Sequence, residues 1–137
     1  RLAMEFENKD AYRDYWKPQP AFAKGWSAVL DEYVDYDLRG KKASTNPQAV
    51  EADSRDLFGD DLIVKSLQGL TKPSIFIKAE RGLQNEEGGL YPMPVLDAVL
   101  PAYPMLKLEF LADCNHYDMF LEQSGAEKVA HLIYGGK

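Results

Sequence analysis

The chain has one cysteine, Cys114, and two histidines, His116 and His131, in 137 residues. A lone thiol closes no internal disulfide, which fits a reducing, cytoplasmic setting. One cysteine and two histidines fifteen residues apart do not make a zinc pattern, so no metal is expected. No apolar run reaches the roughly 18 residues that a membrane span needs, and no signal-peptide pattern opens the chain. No glycine-rich phosphate loop introduces a helix, and no cofactor is expected. Basic residues are outnumbered, 16 Lys and Arg against 22 Asp and Glu, for a formal net charge of −6. A nucleic-acid partner is therefore not expected, because such binding needs a basic stripe that displaces counterions. Repeats and low-complexity tracts are also lacking. What is present, 45% hydrophobic and 28% charged residues, is the composition of a domain that can bury a core without staples.

The chain opens at Arg1 inside a helix-like stretch, AMEFENKDAYRDYWKPQP, with no cap before it. We read that start as the mark of a fragment, processed product or subunit of a longer chain. Pro18 and Pro20 end this helix. In AFAKGWSAVLDEYVDYDL, residues Trp26, Val29, Leu30, Tyr33, Val34 and Leu38 fall at amphipathic helical spacing. Residues 39–49 read as a polar loop. Ser44, Thr45 and Asn46 offer cap oxygens and Pro47 suits a first helical position, so a helix is predicted from Pro47 to Gly59. A short helix follows, ending near Gly69.

The period then changes. Ile75, Phe76 and Ile77 predict a strand buried on both faces. A long loop, RGLQNEEGGLYPMP, leads to a helix, PVLDAVLPAYP, closed by prolines. MLKLEFLA is a second strand, DCNHYD a turn, and residues 119–134 a closing helix. This alternation predicts an α/β architecture with parallel strands and flanking helices. Ligand sites in such sheets lie beyond the carboxyl ends of the strands, where both loops of interest fall. Two strands are too few for a stable sheet, so others must be supplied.

His116 is the first candidate for chemistry. Its loop follows a strand, an open position for a general base; the plainer role is a surface or capping histidine. Asn115 suits turn chemistry, Tyr117 packing, and Asp113 and Asp118 capping of the helix start. His131 reads as solvated or packing. Glu80, Glu86 and Glu87 follow the first strand. A carboxylate there could hold His116 in one tautomer, although consecutive glutamates also simply solvate a loop. Cys114, two residues from His116, reads as a buried small hydrophobe rather than a nucleophile. Of the serines Ser27, Ser44, Ser54, Ser66, Ser74 and Ser124, only Ser27 stands in half of a G-x-S-x-G pattern, Gly25-Trp26-Ser27-Ala28-Val29. It has no strand before it and lies inside a helix pattern, which excludes it. The chain thus offers a candidate base and a candidate orienter but no candidate nucleophile.

PSIFIKAERGLQNEEGGLYP, NHYDMF and GAEKVAHLI together resemble the C-terminal part of the α/β-hydrolase fold, bacterial type. The resemblance runs from about Thr71 to Ile133. It implies that residues 1–45 are a helical cap segment and residues 46–137 the C-terminal part of the core. It implies an acid loop after one strand, a histidine loop after the next, and a catalytic triad in the order nucleophile, acid, histidine. His116 matches the triad histidine. At Asn85 the resemblance implies aspartate, and asparagine stands there. An amide orients an imidazole but does not stabilise the imidazolium as a carboxylate does. Glu86, one residue on, could take over, with Glu87 a weaker candidate. The implied activity is that of an esterase-like enzyme hydrolysing an ester or related small substrate. Trp16, Tyr15 and Trp26 would line its apolar pocket or pack its core. The nucleophile would come from the N-terminal half of the same fold, in the same or another chain. The alternative is a hydrolase-like binding module whose acid position is Asn85.

Overall fold

Cap residues divide the first forty-five positions into short helices. The structure, a computed structural model, describes residues 1–59 and 61–135. Helix α1, Lys9–Trp16, starts where the Asn8 side chain accepts a hydrogen bond from the Ala11 amide at 2.9 Å. The residues before Asn8 form turns, bends and irregular chain, so the chain does not open inside a helix, contrary to the sequence reading. Pro18 and a 3-10 turn at Pro20–Phe22 follow. Helix α2, Ala28–Asp37, is capped by Ser27, whose Oγ accepts from the Leu30 amide at 3.2 Å.

The segment predicted as a loop after α2 contains a small hairpin. Strand β1, Leu38–Arg39, pairs antiparallel with β2, Lys42–Ala43, across Gly40 at φ +63°. Two-residue strands show no period in sequence. Their register follows instead from contacts at Asp37, which is buried and accepts from Arg1, the Tyr12 hydroxyl and, at 3.0 Å, the Ser44 hydroxyl.

Tyr12 and Trp16 of α1 face Leu30 and Val34 of α2, both pairs at i, i+4 spacing. Phe6, Ala21, Phe22 and Leu38 complete this larger core. Trp16 and Phe22 meet edge-on in it, with ring centroids 5.6 Å apart at 66°.

Helix α3, Pro47–Gly59, has the predicted bounds, and Asn46 Oδ1 accepts from the Gln48 amide at 2.8 Å at its start. Helix α4, Leu62–Gln68, follows. Strand β3, Ser74–Ala79, helix α5, Met93–Val99, and strand β4, Leu106–Leu111, complete the alternation. The two strands are parallel, with Ser74 opposite Leu106 and Ala79 opposite Leu111. Among the described residues the structure is thus mixed α/β, with one parallel pair and one small hairpin. Contrary to expectation, β3 is not buried on both faces. Ile75 is 45% exposed, and only Lys78 and Ala79 are buried.

The predicted closing helix is broken in two. Helix α6, Asp118–Leu121, and helix α7, Gln123–Tyr134, meet at Glu122, whose backbone is extended. Gly125 explains the sharp corner. It is buried, and a Cβ there would stand 2.7 Å from the Asp118 carbonyl carbon. Only glycine lets α7 pack that closely on α6. Ala79, Leu111, Cys114 and Met119 form the second core, with Ile77, Val129 and Leu132 packed against it. Burying a Leu or Met side chain contributes about 1.5–3 kcal/mol, and the smaller Ala79 and Cys114 bury less apolar area. This four-residue cluster is therefore held more weakly than the eight-residue helical core. Among the described residues, no helix is long and apolar enough to cross a membrane.

Candidate functional site

The hydrogen bonding of the β3–β4 pair continues past both strand ends. The Glu80 amide donates to the Leu111 carbonyl at 3.0 Å, and the Arg81 amide to the Cys114 carbonyl at 3.1 Å. The two loops, residues 80–92 and 112–117, therefore run side by side at the carboxyl edge of the sheet. Glu80 joins them further, since its Oε2 accepts from the Asp113 amide at 2.8 Å. Asp113 has φ +57°, and this anchor holds its left-handed turn.

Asn115 is the keystone of the histidine loop. It is 2% exposed. Its Oδ1 accepts from the Tyr117 amide at 2.8 Å and the Asp118 amide at 3.0 Å, and its Nδ2 donates to the Ala21 carbonyl at 2.6 Å. The Asn115 amide in turn donates to Asp118 Oδ2 at 2.9 Å. Asp118 is buried and pairs with Lys24 at 3.3 Å. Lys24 also reaches the Asp113 carbonyl. The turn role assigned to Asn115 is thus joined by a tertiary one, a bond to residue 21 that nothing in the local sequence announces. Tyr117 packs on Phe22, with ring centroids 5.5 Å apart.

His116, between these anchored neighbours, lines a cavity of about 80 Å³ with Phe76, Lys78, Arg81, Leu90 and Tyr91. The ring therefore meets the end of β3 and the loop after it. Asn85 and Glu86 engage other groups. Asn85 takes φ +62°, an angle that asparagine tolerates better than most residues, and its carbonyl accepts from Arg81 at 3.1 Å. Glu86 Oε2 accepts from the Gln84 amide at 2.7 Å, and the carboxylate lies against Gly82. Bonds to its own loop's amides hold the Glu86 carboxyl below the usual carboxylate range. Among the described residues no hydrogen bond or ion pair joins the imidazole to Asn85, Glu86 or Glu80. The loop carboxylate that reaches the histidine loop is Glu80, and it does so through backbone.

Cys114 is buried, its Sγ lies 3.7 Å from the Leu111 carbonyl, and burial pushes its thiol up. Both features suit a packed thiol. Ser27 is bound at its helix cap, just outside α2 rather than within it. His131 lies exposed in the last turn of α7. Among the described residues no cluster of three or more His, Cys, Asp or Glu side chains could hold a metal.

A second cavity, of about 400 Å³, lies on the other side of the histidine loop between the helical segment and α6. Phe22, Trp26, Leu30, Tyr117 and Leu121 give it apolar walls, with Lys24 and Asp118 at its polar side. Trp16 is buried in the core and Tyr15 packs against it, so of the three aromatics singled out from sequence only Trp26 lines this space. The sequence reading did not single out Lys78, Arg81 or Lys24. Lysine at an inward strand position after an apolar run was the available signal for the first. Comparison with protein-family models, curated proteins and solved structures gave no match.

Proposed function

We propose that this chain is the C-terminal part of an α/β-hydrolase, with residues 1–45 as cap segment and His116 as general base and then general acid in hydrolysis of an ester or related small substrate. The observation that carries the reading is the position of His116: it follows the second of two parallel strands and its ring faces the loop after the first. The 400 Å³ cavity on the other side of the histidine loop, lined by Tyr117 rather than His116, has the size of a small-molecule site. The nucleophile is supplied by an N-terminal half, in the same or another polypeptide. Glu86 acts as orienter only if its carboxylate exchanges the Gln84 amide for the imidazole. The test is hydrolysis of a chromogenic short-chain ester by the full-length protein and by His116→Ala. Loss of general acid–base catalysis lowers the rate by roughly 10² to 10⁴-fold. Equal rates remove His116 from the mechanism.

A second reading, a hydrolase-like binding module, is favoured by the engagement of Glu86 with backbone and by asparagine at position 85. Asn85→Asp separates the two. A large gain in ester hydrolysis marks a lapsed triad, and an unchanged rate means another group already orients the base.

A further inference from the structure

The loop after β3 folds over the sheet face that α7 does not cover. Strand alternation puts Phe76 and Lys78 of β3 on that face, beside Leu108 and Phe110 of β4. Ile77, Ala79 and Leu111 point the other way, into the core with Val129 and Leu132. Lys78 is 4% exposed. Its Nζ donates to the Ala79 carbonyl at 3.2 Å and stands 5.2 Å from the Phe110 ring centroid. Among the described residues it has no carboxylate partner. An ammonium carries three donors, so two are left over in a buried place. Arg81, across the cavity, uses one guanidinium N–H on the Asn85 carbonyl and forms no ion pair among the described residues. His116 adds a third nitrogen-bearing group to the same wall.

Burying an ammonium without a counter-charge is costly, and native structures keep such groups for a partner. We infer that this 80 Å³ cavity is a binding site for a small carboxylate, held by Lys78 and Arg81 with His116 as the third donor. Its volume of about 80 Å³ exceeds the roughly 30 Å³ that a water molecule takes in the liquid, which leaves room for a carboxylate with a short stem. Arg81 presents the planar fork that carboxylates match, and Lys78 adds a point charge. Phe76 and Tyr91, with ring centroids 5.4 Å apart in an edge contact, wall the site on one side. Gly89, at φ +68°, lets the loop approach the end of β3, since a Cβ there would stand 2.6 Å from the Ala79 carbonyl oxygen and 3.0 Å from Lys78 Nζ. The inference is independent of the hydrolytic reading, because binding needs no nucleophile.

The test titrates sodium acetate into isotope-labelled protein and follows the side-chain resonances of Lys78, Arg81 and His116. All three should shift together and saturate in the millimolar range. Lys78→Met and Arg81→Gln should each weaken binding by about tenfold or more, as loss of a charged hydrogen bond implies. Lys65→Met, exposed on α4, should leave it unchanged. Arg81→Gln carries the test by itself if Lys78→Met does not fold. Absence of saturation, or undiminished binding in the folded variants, overturns the inference. Tighter binding of sodium phosphate than of acetate overturns the assignment to a carboxylate.

Discussion

Glu122 shows how one side chain sets a local boundary. Its Oε2 accepts from the Ser124 hydroxyl at 2.5 Å and the Gly125 amide at 2.9 Å, capping α7. Those bonds, the Ser124 hydroxyl first and backbone amides next, lower its carboxyl to about 2 from an ordinary value near 4.5. The folded pKa lies below the unfolded one, so the folded state holds fewer protons between them. The stabilisation is complete above about pH 4.5 and is lost as pH falls toward 2. Urea unfolding measured between pH 5 and pH 2 should show that loss, and Glu122→Gln should reduce its slope. The same slope in the variant would refute the capping role. At this scale the sequence picked out one residue of the candidate cavity, His116. His116 stood out because a strand precedes it and a helix follows. The groups around it did not, because Lys78 and Arg81 belong to a different strand and loop, and pairing alone makes them neighbours.

Elements were legible where a cap or a period marks them. Asn46 and Pro47 announced α3, and the apolar runs announced β3 and β4. The hairpin β1–β2 was not legible, because its strands are too short to show alternation and Asp37 organises it from outside. The break between α6 and α7 was hidden for another reason. Residues 119–134 keep helical spacing across it, and the corner depends on close approach at Gly125. Alanine in a helix is ordinarily favoured over glycine by about 1 kcal/mol. Here the added methyl would meet the backbone of Asp118, which cannot swing aside as a side-chain tip does. Gly125→Ala should therefore lower unfolding stability by about 1–3 kcal/mol, read as a shifted urea midpoint. A rise in stability would show that the corner opens without strain.

At the scale of the molecule, the parallel sheet has two strands among the described residues. Strands β3 and β4 pair with each other, and among the described residues no further strand joins either outer edge. Ile75 and Phe110 are about half exposed on the strands, and Leu57, Ile63 and Val64 are exposed on α3 and α4. Unpaired edges beside apolar surface recruit further strands. The isolated chain should therefore associate as its concentration rises, which light scattering will register. A chain that stays monomeric and unfolds cooperatively would count against a shared sheet. Partial unfolding should start around the weaker second core, while the aromatic helical core persists.

Sequence alone determined the order of elements from α3 to β4, their parallel alternation and the histidine after the second strand of that pair, because periodicity, caps and prolines act within a few residues. Tertiary structure alone decided what that histidine faces. The ladder from Ser74–Leu106 to Ala79–Leu111 aligns two loops more than thirty positions apart, and Asn115 ties the second loop to Ala21 across 94 positions. Such neighbours follow from chain closure and packing, which no local pattern encodes.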